Sequence, residues 1–120
     1  MSILVQRVYD PTPVRAGKRI LVDRVWPRGI KKEALHLDLW QRDLAPSTAL
    51  RKWFGHDPKR WEEFQRRYRA ELRQPEQQTR LHELITLARR GPVTLLYSAR
   101  DEEHNQALAL RRVLEDSLKK

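Results

Sequence analysis

The stretch VTLLYS, residues 93–98, constrains this chain more than any other: it is apolar almost without interruption, between Gly91-Pro92 and a polar loop. A strand with one solvated face alternates apolar and polar residues, whereas a continuous apolar run reads as a central strand of a parallel sheet. Two weaker strand signals precede it. Ile3-Leu4-Val5, followed by Val8, is a short β-branched run, and Ile20-Leu21-Val22 repeats that character before stopping at Pro27 and Gly29. Between them DPTPVRAGK, residues 10–18, holds two prolines and a glycine and reads as loop. KKEALHLDLW, residues 31–40, alternates at Leu35, Leu37 and Leu39 and is read as extended.

The middle of the chain is punctuated for helices. Ser47 is placed to cap one helix, its hydroxyl accepting from orphan backbone donors, and Gly55 to end it. Asp57-Pro58 repeats the start signal with a cap residue and a proline at the first helical position. Trp61, Phe64, Tyr68 and Leu72 then recur at helical spacing as a buried stripe, with Glu62/Arg66 and Glu63/Arg67 four apart on the outside. Pro75 opens a further helix with Leu81, Leu84, Ile85 and Ala88 inward, ended by Gly91-Pro92. After ARDEEHN comes a last helix, with Ala107, Leu110, Val113, Leu114 and Leu118 inward. This order predicts a single α/β domain over residues 1–120, a small mostly parallel sheet of about three to four strands carrying about four helices.

Composition narrows the chemistry. The chain has no cysteine, which excludes disulfides, thiolate metal sites and cysteine nucleophiles. His36, His56, His82 and His104 share no metal-ligand spacing, so neither a metal nor a cofactor is expected. No glycine-rich phosphate loop and no serine-hydrolase signature is present. MSILVQRVYD lacks the apolar length of a signal peptide, and no run approaches the roughly 20 apolar residues of a membrane span, so a cytoplasmic protein without membrane association is expected. The formal net charge of +9, dominated by arginine, leans toward anionic partners: a small molecule or nucleic acid.

Two strand ends carry unusual polar sets. One is Asp23, Arg24, Trp26, Arg28 and Gly29; the other is Ser98, Arg100, Asp101, His104 and Asn105. Ligands of open α/β sheets bind beyond the carboxyl ends of strands, so parallel neighbours would bring both sets to one edge. Arg24 and Arg28 would then grip a phosphate- or nucleotide-like anion. Trp26 would supply a stacking face, Gly29 would let backbone approach, and Ser98, Arg100 and Asn105 would add polar contacts. The competing structural readings are a plain turn at Pro27–Gly29, a core role for Trp26, and capping by Asp101 and Asn105. His104, with Asp101, is the candidate acid/base pair if the site is that of a small enzyme acting on a phosphorylated or carboxylate substrate. A third possibility is a basic nucleic-acid-binding or adaptor protein that follows phosphates with Arg66, Arg67 and Arg73.

The blocks RVWPRG, APSTALRKWFGHDPKRWEEFQRRYRAEL and VTLLYSARDEEHNQALAL occur in that order. Together they resemble the YeaO-like branch of a bacterial domain-of-unknown-function family, from about Val5 to Leu114. The resemblance implies the α/β fold and a clustering of Arg24, Trp26, Arg28, Ser98, Asp101 and Asn105. It implies no reaction. Broader relatives often carry cysteine and histidine in the late loop, but LLYSARDEEHN has no cysteine, so no thiol role carries over.

Overall fold

The computed structural model describes residues 3–10 and 17–119. Strands β1 (Ile3–Arg7), β2 (Lys18–Leu21), β3 (Leu39–Trp40) and β4 (Val93–Tyr97) form one sheet in the order β1-β4-β2-β3. Every neighbouring pair is parallel. The apolar run takes the interior position its composition predicts: Leu95 pairs with Val5 on one side and Ile20 on the other, and all of β4 is buried. Entry to β2 depends on Gly17, whose φ of 67° is left-handed. A Cβ there would stand 1.7 Å from the Pro92 carbonyl oxygen, so no other residue fits.

Five helices accompany the sheet: α1 (Lys32–Leu35), α2 (Thr48–Phe54), α3 (Trp61–Leu72), α4 (Pro75–Arg90) and α5 (Gln106–Leu118). Among the described residues, none is long and apolar enough to cross a membrane. Because strand side chains alternate, Ile20 and Leu95 face one core while Leu21 and Leu96 face another. The larger core takes the stripes of α2 to α5, including all four predicted α3 residues, Trp61, Phe64, Tyr68 and Leu72. Inside it the Tyr68 hydroxyl donates to the Leu44 carbonyl at 2.7 Å. The smaller core is Leu21, Leu35 and Leu96, covered by Val8, Trp26, Ile30, Leu37 and Trp40.

Residues 31–40 depart from the extended reading. Lys32–Leu35 is one helical turn, closed by His36 at φ 51°, and only Leu39 and Trp40 join the sheet. Leu35 and Leu37 pack across the smaller core, so the alternation of leucines reflects burial of a turn rather than a strand. Arg19 pins that turn: its Nε donates to the Leu35 carbonyl at 3.1 Å and its backbone N–H to Asp38 Oδ2 at 2.8 Å.

Candidate functional site

With all strands parallel, their carboxyl ends share one edge, and the segments leaving them surround a cavity of about 1020 Å³. Arg7 ends β1 and Tyr9 follows it, Asp23 to Arg28 follow β2, and Ser98 to Asp101 with His104 to Gln106 follow β4. Across from them α2 contributes Thr48, Arg51, Lys52 and Phe54, with His56 after it. Both polar sets singled out in the sequence therefore line the same space, except Gly29. Gly29 has φ 79° and open space around its Cβ position, so the turn's left-handed backbone requires the glycine, not close approach of a ligand.

The floor is a polar knot around Asp23, which is only 6% exposed. Its carboxylate accepts from the Ser98 backbone N–H at 3.0 Å, the Ser98 hydroxyl and Gln106 Nε2, tying β2, β4 and α5 together. Burial raises the pKa of Asp23, opposed by the Ser98 bonds, the Arg51 charge and Gln106. The Asp23 carbonyl is held in turn by Trp40 Nε1 at 2.7 Å.

Several predicted ligand groups are engaged by the fold itself. Arg24 donates through Nε to the Pro46 carbonyl at 3.1 Å and through its terminal amine to the Ala45 carbonyl at 2.9 Å. It braces the loop leading into α2. Trp26 donates from Nε1 to the Ile30 carbonyl at 2.7 Å, and its ring meets Trp40 edge-on at 5.4 Å between centroids. Asn105 is 1% exposed and caps α5, accepting from Leu108 N–H at 3.1 Å while donating to the Asp101 carbonyl at 3.0 Å. The Ser98 hydroxyl is bonded to Asp23 rather than to His104, so no nucleophile–base contact joins Ser98 to the histidine.

Asp101 organises the loop before α5. Oδ1 accepts from the N–H groups of Glu103 and His104, at 2.9 and 3.0 Å, and Oδ2 lies 2.9 Å from His104 Nδ1. Desolvation pushes its pKa up, but the bonds from Glu103 and His104 outweigh it and the net shift is downward. When Nδ1 carries the proton to Asp101, His104 Nε2 is an acceptor, while the imidazole and Trp61 rings meet in a T-shaped pair, 5.4 Å between centroids.

Basic side chains gather at the cavity beside the carboxylates of Asp23 and Asp101. Arg28, Arg51, Lys52 and Arg100 line it and are exposed, and their side chains make no hydrogen bond or ion pair among the described residues. Elsewhere, Arg60, Arg66, Arg67, Arg69 and Arg80 each have a carboxylate within 4 Å, whereas Arg73, Arg89 and Arg90 have none among the described residues. Arg66 and Arg67 share Glu63, and neither they nor Arg73 line the cavity. Arg51 and Lys52 were absent from the sequence expectation, although one signal marked them: neither has an acidic residue three or four positions away.

Residues 2–120 match the family described as the inactive DUF488-N3 subclade. The chain is 48% identical over 110 residues to the uncharacterized protein YeaO of Escherichia coli (strain K12), covering 92% of this chain and 94% of that protein. It is 38% identical over 112 residues to an uncharacterized protein of Mycobacterium tuberculosis (strain ATCC 25618 / H37Rv), covering 93% and 92%. No solved structure matches it significantly. A match across almost the whole length, with relatives of equal extent, makes this chain a member of the inactive DUF488-N3 subclade.

Proposed function

We propose that the cavity at the carboxyl edge of the sheet binds a small anionic ligand, phosphate- or nucleotide-like. The observation that carries this reading is the gathering of four exposed cations, Arg28, Arg51, Lys52 and Arg100, around one space, none with a carboxylate within 4 Å among the described residues and only Arg51 acting on the buried Asp23. Guanidinium groups match phosphate oxygens two at a time, and a concave site with low-dielectric walls strengthens the attraction. Phe54, Phe64 and Trp26 supply such walls. Asp23 and Ser98 hold the strand ends in register beneath them.

A thermal-shift series with inorganic phosphate and nucleotides, at low and high salt, tests the reading. A ligand at 100 times its Kd stabilises by about 2.7 kcal/mol, several degrees for a chain this size. The shift is expected to survive moderate salt and to vanish in Arg28→Ala, whose side chain makes no bond within the described fold. An equal shift in Arg28→Ala contradicts the site as drawn.

The Asp101–His104 contact favours one second reading, turnover at the same cavity with His104 Nε2 as general base. Hydrolysis of phosphoesters that collapses in His104→Ala would support it. The family's description as inactive weighs toward binding.

A further inference from the structure

We infer that the ligand of this cleft carries a planar ring beside its phosphate, as a nucleoside monophosphate does, and that Tyr9 rather than Trp26 is the stacking platform. The inference rests on the anion-binding reading above and narrows its ligand class. Tyr9 and Val25 are the two large hydrophobic side chains left exposed among the described residues, at 38% and 59%, and both line this cavity. Exposed apolar groups scattered over a surface need no explanation, but two gathered at one cation-lined cleft indicate a ligand with an apolar part.

Tyr9 is also held in place. Its hydroxyl donates to the Arg28 carbonyl at 2.7 Å, and the Arg7 guanidinium lies 4.9 Å from its ring centroid. Arg7 is itself fixed by Nε donating to the Ala99 carbonyl at 2.8 Å. A ring anchored at its hydroxyl and backed by a guanidinium is a preorganised surface for a heteroaromatic base. The same Tyr9–Arg28 bond sets the platform beside one of the cleft's exposed cations, where a phosphate joined to that base would lie. Trp26 is less suited, since its ring packs on Trp40 and its N–H is bonded to Ile30.

Calorimetric titration of the full chain with AMP, ribose 5-phosphate and adenosine tests this. AMP should bind at least about fivefold tighter than ribose 5-phosphate, the lower end of what base–aromatic stacking contributes. That advantage should disappear in Tyr9→Ala and persist in Tyr9→Phe, and adenosine should bind far more weakly than AMP. Equal binding of AMP and ribose 5-phosphate by the wild-type chain, or an AMP advantage unchanged in Tyr9→Ala, overturns the ring platform and leaves the anion site standing. Failure of both phosphates to bind overturns the two together.

Discussion

Asp23 shows how a single buried carboxylate can organise an edge while weakening the fold that holds it. Its three donors come from Ser98, just after β4, and from α5, so Asp23→Ala leaves the Ser98 N–H and hydroxyl and the Gln106 amide without their acceptor. Loss of buried partners costs about 1–3 kcal/mol, measurable by urea denaturation. The raised pKa has its own signature. An acid whose folded pKa exceeds its unfolded value binds its proton more tightly in the fold, so its ionisation destabilises the folded state. That effect is absent below the unfolded value of about 4, grows as pH rises through the raised pKa, and is complete above it. Asp23→Asn can keep one oxygen toward Ser98 while the Gln106 amide reverses to meet its NH₂. Wild-type stability should therefore fall relative to Asp23→Asn as pH rises above the unfolded value of about 4 and through the raised folded value, and a difference that stays constant with pH would contradict the assignment. Asp101 behaves oppositely: with its pKa lowered, its contribution is present above the unfolded value and is lost as acid protonates the folded carboxylate.

At the scale of elements, the legible parts of the fold were those with local chemistry. Ser47 caps α2, its hydroxyl accepting from Leu50 N–H at 3.1 Å, and Gly55 follows with φ 54°. Asp57 Oδ1 accepts from Lys59 N–H at 3.0 Å at the turn that opens α3. These signals act within a few residues, so a sequence displays them. What it did not display was tertiary. Ser47 also binds Glu71 of α3, through its N–H at 2.9 Å and through its hydroxyl, a contact spanning 24 positions. Ser47→Ala should therefore cost about 1–2 kcal/mol, the upper part of the usual capping range. Asn105→Ala, losing both the α5 cap and the bond to Asp101, should cost a similar amount, about 1–2 kcal/mol by thermal or urea unfolding. The error over residues 31–40 has the same origin: Leu35 and Leu37 alternate because a turn buries them over the smaller core, which only the packed sheet reveals.

At the scale of the whole molecule, the parallel sheet converts two distant sequence stretches into one cleft. The 75 positions between Asp23 and Ser98 are closed because β4 inserts between β1 and β2. That convergence could be anticipated from the two polar strand ends. The approach of α2 could not: the lack of an acidic helix neighbour marks Arg51 and Lys52, but only the fold turns them toward the strand ends. Net charge alone also misdirects. Arg66 and Arg67 look like a phosphate-tracking face, yet both are paired with Glu63, and Arg67 also lies 4.0 Å from the Trp53 ring centroid. None of the cleft's four exposed cations has a carboxylate within 4 Å among the described residues, so Lys52→Ala should weaken phosphate binding and reduce its salt dependence with little effect on thermal stability. Arg51→Ala should do the same and also lower stability, because its charge favours the ionised form of buried Asp23.

The most direct measurement is an amide chemical-shift titration of the full chain with inorganic phosphate at moderate salt. Saturable shifts confined to Arg28, Arg51, Ser98, Arg100 and Gln106 are the predicted result. Shifts centred instead on Arg66, Arg67 and Arg73 of α3 and its end, or no saturable shift anywhere, would contradict an anion site at the carboxyl edge of the sheet.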